Sequence, residues 1–142
     1  IGFSIGKKNK KLFSNTVKNS FILSSFTGAL ISLIYFFVNN AFINFMTDIE
    51  SVKNISYQFS IWLIFLPFIS SFCYQFDGIF IGASQTKELR DAMFISVILY
   101  LLSSYFLVQN FGNLGLWISF TMFLFLRALT LGFYFKRIYL KF

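Results

Sequence analysis

The sequence predicts an all-α membrane protein with four transmembrane helices preceded by the end of a fifth. Of its 142 residues, 57% are hydrophobic and 12% are charged, whereas soluble domains carry about 25% charged residues. Three stretches lack any charge, at 19–47, 54–76 and 92–126. Roughly 20 residues suffice to span a bilayer, and the third stretch is long enough for two helices joined by a turn. The chain therefore contains four spans.

The opening of the chain predicts the end of one helix and then the first full span. "IGFSIG" reads as a helix end that leaves the membrane at Gly6, and the first span follows at about Thr16–Met46. Because the sequence begins without Met, we expect a fragment of a longer protein. Small residues that recur every four positions let another helix approach closely. On the first span these are Ser20, Ser24, Gly28 and Ser32.

The second span, at about Val52–Ser84, combines a proline with a polar face. Pro67 removes a backbone hydrogen bond and predicts a kink, which helices that line a cavity tolerate. Beyond it, Ser70, Tyr74 and Asp77 share one helix face at spacings of four and three. Two glycines four residues apart are more often packing positions than functional ones. The adjoining face carries Ser71, Gln75, Gly78 and Gly82.

The last two spans are predicted at about Lys87–Val108 and Leu114–Phe135. The segment 109–115, "QNFGNLG", joins them, since Asn and Gly favour turns. Arg127 is the second charge inside a span. At 1.5 Å per residue, Asp77 and Arg127 both lie roughly 14–15 Å from the following basic residues, so an ion pair is possible.

The distribution of Lys and Arg predicts the orientation of the spans. About ten basic residues lie before the first span, between the second and third, and after the fourth, against one between the first and second. These basic ends, including the C-terminus, are therefore expected in the cytoplasm. The same pattern explains the net charge of +7 without a nucleic-acid partner. The cytoplasmic set is Lys7, Lys8, Lys10, Lys11, Lys18, Lys87, Arg90, Lys136, Arg137 and Lys141.

Asp77 admits two interpretations. A charge at the bilayer centre costs about 2.5–3.5 kcal/mol, and ionisable residues inside spans mark ion pathways. Asp77 is then a proton or cation site. Alternatively it is a carboxylate that orders helix packing, including as a latch with Arg127, which otherwise snorkels toward headgroups. Because Ser70, Tyr74 and Gln75 can hydrogen-bond the carboxyl without arginine, we favour an unpaired Asp77 that binds a proton or a cation.

No feature of the sequence indicates an enzyme, a cofactor or a metal site. The chain has no His, and its single cysteine, Cys73, lies inside a span. An intramembrane aspartyl protease needs two aspartates deep within spans, and only Asp77 lies away from the end of a predicted span. We therefore expect no catalytic residue and no bound metal.

Two segments carry a resemblance to a known family. "IWLIFLPFISSFCYQFDGIFIGASQTKELRDAM" (61–93), followed by "GNLGLWISFTMFLFLRALTLG" (112–132), resembles the C-terminal half of multidrug and toxic-compound extrusion transporters, especially their DinF-like branch. The opening "IGFSIGKKN" is similar to the glycine motif that ends the family's eighth helix. The resemblance covers essentially the whole chain and places residues 1–142 from the end of helix eight through helix twelve.

The resemblance implies a protein of two six-helix bundles, of which this chain forms the C-terminal part of the second. It implies alternating access driven by H⁺ or Na⁺ antiport, an amphipathic small-molecule substrate such as an organic cation or drug, and location in a bacterial inner membrane. Membrane lipid and the N-terminal part of the same transporter are the implied partners. Asp77 falls in the tenth helix, where some members place a cation-binding carboxylate, whereas the proton-coupled branch places a key carboxylate in the first helix.

Two other functions stay open. A lipid-linked oligosaccharide flippase has a related architecture, and its pathway would hold several basic residues, whereas Arg127 is the single basic residue that lies away from the ends of a predicted span. A non-transporting membrane scaffold subunit has no need for Asp77 on a kinked, half-polar helix.

Overall fold

The computed structural model describes residues 1–139, and every regular element in that range is helical. Four of the helices are long and apolar enough to cross a membrane, so the predicted all-α fold with four spans and a short preceding helix is confirmed. Lys141, which the basic-residue pattern assigns to the cytoplasm, lies outside the described residues. The helices are α1 (Gly2–Gly6), α2 (Lys10–Met46), α3 (Glu50–Gly82), α4 (Thr86–Phe111) and α5 (Asn113–Tyr139).

The start of α2 lies earlier than the sequence predicts. The side chain of Asn9 accepts a hydrogen bond from the backbone N–H of Leu12 at 2.9 Å. Such an N-cap satisfies one of the free amides at a helix start. The helix therefore begins at Lys10, before the apolar stretch itself.

The connection between α4 and α5 is much shorter than the predicted segment 109–115. Only Gly112 separates the two helices, with a φ of 58° that favours glycine. Three residues later, a Cβ on Gly115 would collide with the backbone carbonyl of Leu107. The absence of a side chain at Gly115 thus lets α5 fold back closely against α4.

The helices pack as two pairs joined by α3. The main contacts are α2 with α3, α4 with α5, and α3 with α5. α3 is continuous through Pro67, whose carbonyl accepts a hydrogen bond from Ser70 Oγ at 3.2 Å. This arrangement leaves one side of α3 against α2 and another side against α5.

Two apolar clusters fill the contact between α3 and α5. We call them the small cluster and the large cluster. The small cluster consists of Leu66, Cys73 and Leu124. The large cluster, nearer the C-terminal ends of both helices, consists of Phe13, Ile79, Phe80, Ala92, Leu131 and Ile138.

Candidate functional site

An ion pair joins α3 to α5 between the two apolar clusters. Arg127 Nη2 lies 2.9 Å from Asp77 Oδ2, and the two side chains are only 12% and 14% exposed. Within residues 1–139, Asp77 Oδ1 and Arg127 Nε are buried without a hydrogen-bond partner. The pair therefore has one contact rather than the two of a bidentate arginine–carboxylate pair.

The spacing of apolar residues along both helices positions this pair. On α3, Cys73 precedes Asp77 by one turn and Phe80 follows it by one turn. On α5, Leu124 and Leu131 flank Arg127 in the same way. All four flanking side chains are buried in one or the other cluster. Asp77 and Arg127 thus meet in a gap closed by apolar side chains at both ends.

The expectation that Asp77 stands apart from Arg127 is wrong. The two residues lie at equal depth, as the sequence indicates, and α3 and α5 pack directly, so the long arginine side chain reaches the carboxylate. A carboxylate left alone in this gap would lose its hydration without a compensating charge.

The polar residues expected to hydrogen-bond Asp77 form other contacts instead. Ser70 donates to Pro67, and Gln75 Nε2 donates to Ser20 Oγ at 2.7 Å. Tyr74 is 61% exposed. At 100° per residue, Gln75 points almost opposite to Asp77, toward α2. The predicted set of Asp77, Tyr74, Gln75 and Ser70 is therefore divided between two sides of α3.

A groove between α2 and α3 is lined by Ser70, Tyr74 and Gln75, the polar residues expected to hydrogen-bond Asp77. Its volume is about 480 Å³. Apolar side chains such as Leu23 and Ile31 complete it. We call it the hydroxyl groove, and its polar lining is Ser20, Ser24, Thr27, Ser70, Ser71, Tyr74 and Gln75.

The serine and threonine hydroxyls of this groove donate their hydrogens to the backbone. Ser24 Oγ donates to the carbonyl of Ser71 across the helix contact at 3.0 Å. Ser20, Thr27, Ser70 and Ser71 each donate to a carbonyl one turn earlier in their own helix. Each hydroxyl has one donor and two lone pairs. These hydroxyls can therefore still accept hydrogen bonds, but their donors are already used.

The small residues of α2 allow close packing against α3. A Cβ added to Gly28 would lie 2.8 Å from Ser71 Cβ and 3.2 Å from the carbonyl oxygen of Pro67. Gly82 is also in close contact, since a Cβ there would lie 3.0 Å from Ile1 Cβ. Gly78 makes no such contact within residues 1–139: it is exposed, and a Cβ at this position meets no described atom within 4 Å.

Sequence reasoning missed Thr27 and gave no role to Ser71. Thr27 lies outside the four-residue stripe, although it follows Ser24 by three positions and so borders the same face. Ser71 belongs to the adjoining face of α3, but its contact with Gly28 depends on how α2 and α3 are aligned. That alignment has no local signal in the sequence.

Comparison with known proteins identifies the family of this chain. The MatE family model matches residues 1–106. The chain belongs to the MatE family. The DNA damage-inducible protein F of Escherichia coli (strain K12) is 31% identical over 114 residues, which cover 80% of this chain and 25% of that relative. No solved structure matches.

Family membership and the four apolar helices together identify an integral membrane protein. The resemblance to multidrug and toxic-compound extrusion proteins, and to their DinF-like branch, is confirmed. The chain spans about a quarter of the length of the curated relative that it matches.

Proposed function

We propose that this chain is part of a secondary transporter that exports amphipathic organic cations or drugs in exchange for H⁺ or Na⁺. Membership of the MatE family supports transport. The observation that carries the proposal is the buried Asp77 carboxylate between α3 and α5, with Oδ1 lacking a partner among the described residues. Carboxylates inside spans mark ion pathways, and Asp77 is the proposed coupling-ion group.

The hydroxyl groove supports a substrate that carries positive charge or N–H donors. Its serine and threonine hydroxyls donate to backbone carbonyls and retain acceptor lone pairs. The exposed ring of Tyr74 can face a cation, an interaction worth about 0.5–2 kcal/mol, and Leu23 and Ile31 supply apolar lining. An amphipathic organic cation fits this combination of acceptors, aromatic face and apolar wall.

The surroundings of the chain follow from the same proposal. The basic ends, including the start of α2 and the end of α5, lie on the cytoplasmic side of a bacterial inner membrane. The exposed apolar side chains of α2 and α4 contact lipid or the rest of the transporter. Alternating access then takes place between this part and the N-terminal part of the same protein.

The test is efflux by the full-length transporter in proteoliposomes, with the cationic dye ethidium as substrate. Asp77→Asn is expected to lose efflux driven by a pH or Na⁺ gradient when efflux is normalised to the amount of folded protein in the vesicles. Asp91→Asn makes the same chemical change at an exposed carboxylate paired with Arg90, and we expect normal efflux from it.

Ion-driven efflux from Asp77→Asn with unchanged dependence on both gradients would overturn the proposal. If Asp77→Asn does not fold because Arg127 is left unpaired, the double variant Asp77→Asn/Arg127→Gln replaces it, since neither charge then remains. We expect that variant to fold and to lack ion-driven efflux.

A further inference from the structure

We propose that Arg127 is a built-in counter-cation of Asp77 that the coupling ion displaces, so that ion binding releases α3 from α5. The inference rests on the proposed function, because it takes Asp77 as the coupling-ion group. It adds that Arg127 pairs with Asp77 when no ion is bound. This arginine then determines the apparent affinity for the ion and the separation of α3 from α5 that ion binding causes.

The single contact of the pair makes such an exchange possible. Arg127 Nη2 contacts only Oδ2 of Asp77, while Oδ1 has no partner among residues 1–139. In a bidentate pair both carboxylate oxygens would be occupied. Here H⁺ or Na⁺ can begin to bind at Oδ1 while the guanidinium still holds Oδ2. The exchange therefore does not require a fully bare carboxylate in the membrane.

Because the pair is buried, displacement of Arg127 by an ion should force α3 and α5 to move. The small cluster and the large cluster close the gap on both sides, so little water compensates a charge that loses its partner. Once H⁺ or Na⁺ neutralises the Asp77 carboxylate, the guanidinium of Arg127 has lost its counter-charge. An unpaired buried charge is strongly unfavourable, so α5 must move until Arg127 reaches water or a new acceptor. Ion occupancy is thereby converted into separation of α3 and α5.

Competition between two cations for one carboxylate also predicts how removal of Arg127 acts. In the natural protein the coupling ion must outcompete the guanidinium, which weakens its apparent affinity. Without Arg127, a cation binds more tightly and the helices no longer depend on it to separate. Energetic coupling between two sites typically changes an affinity about 5- to 150-fold, and we expect a shift of that size.

The experiment measures the α3–α5 distance in the full-length protein in lipid nanodiscs. Ile81→Cys on α3 and Phe133→Cys on α5 carry spin labels, since both side chains are exposed, at 62% and 80%. Cys73 is fully buried and stays unlabelled, and other accessible cysteines are replaced. The distance distribution is recorded during a titration with Na⁺ alone, and then during a pH titration without Na⁺. Among the described residues, the charged side chain that acts on Asp77 is Arg127.

In the unmodified protein, the distance is expected to increase as one of the two cations is added. In Arg127→Gln the midpoint should move to a cation concentration about 5- to 150-fold lower, with a longer distance already in the absence of cation. Arg137→Gln is the matched control, because Arg137 is an exposed arginine of the same helix, stacked over Tyr134. Its midpoint should be unchanged.

Two results separate failure of this inference from failure of the proposed function. An unchanged midpoint in Arg127→Gln, while Asp77→Asn abolishes the response, overturns the counter-cation role alone. A normal response in Asp77→Asn overturns the coupling role of Asp77 and this inference with it. If Arg127→Gln does not fold, Arg127→Lys serves instead, because lysine keeps the charge but lacks the planar fork. A smaller shift in the same direction is expected, and no shift overturns the inference.

Discussion

Gly28 and Gly78 offer a matched test of helix packing because the same substitution should act in opposite directions. Gly28 lies in the contact between α2 and α3, where an added Cβ would be 2.8 Å from Ser71 Cβ. Gly78 lies on an exposed side of α3, where an added Cβ meets no atom of residues 1–139 within 4 Å. Gly28→Ala should therefore destabilise the protein, and Gly78→Ala should not.

The magnitude follows from the distances. Carbon atoms pack at about 3.5–4.0 Å, so α2 and α3 must separate by roughly 0.7 Å or more to admit the methyl group at Gly28. Overpacking of this kind costs about 1–3 kcal/mol, against a gain of up to about 1 kcal/mol from replacing a helical glycine by alanine. Gly78→Ala gains the higher helix propensity of alanine without the overpacking cost. The free energies of unfolding of the two variants should therefore differ by about 1–3 kcal/mol.

The full-length protein in mild detergent is unfolded by titration with a denaturing detergent, and the free energy of unfolding is compared between the variants. In a Ser71→Gly background, which lacks the Ser71 Cβ, Gly28→Ala should cost less than in the natural protein, while the contact with the Pro67 carbonyl remains. Ser71→Gly alone is the reference, because a helical glycine is itself unfavourable. Equal stability of Gly28→Ala and Gly78→Ala, or an equal cost of Gly28→Ala with and without Ser71→Gly, would refute the close approach of α2 to α3.

Three further predictions concern the turn, the hydroxyl groove and the orientation. Gly115→Ala should lower the thermal stability of the full-length protein far more than Gly28→Ala, because a Cβ at Gly115 would collide with the backbone of α4. A normal thermal stability of Gly115→Ala would contradict the tight turn. Gln75→Leu should lose its hydrogen bond to Ser20 and cost about 0.6 kcal/mol in the same unfolding titration, whereas no loss would show that the bond is absent in the whole protein. A cysteine at Gln85 should react with an impermeant maleimide only from the cytoplasm, and one at Ile49 only from outside; reversed labelling would overturn the orientation.

The sequence was sufficient for the spans and for the depth of the two charges. Charge-free stretches define where helices cross the bilayer, since the cost of burying charge applies residue by residue. The equal depth of Asp77 and Arg127 follows from counting residues along helices of fixed rise. The four-residue stripe that includes Gly28 likewise indicates a helix contact, because its spacing matches one face of α2.

What the sequence left undecided depends on how helices rotate about their axes. Asp77 faces α5 while Gln75 faces α2, and no local pattern indicates which neighbour lies on which side of α3. The same ambiguity explains why Gly78, four residues before the closely packed Gly82, contacts no neighbouring helix among residues 1–139. The one-residue turn at Gly112 was missed because Asn and Gly favour turns of several lengths, and only the fit of α5 against α4 selects this one.

A double-mutant cycle on Asp77 and Arg127 tests the central claim most directly. Unfolding of the full-length protein is compared for Asp77→Asn, Arg127→Gln and the double variant. Because each single change leaves a buried charge without its partner, each should destabilise by about 3–5 kcal/mol. The double variant, which retains neither charge, should return close to the stability of the natural protein. Losses that simply add in the double variant would contradict the claim that these two residues form one buried pair between α3 and α5.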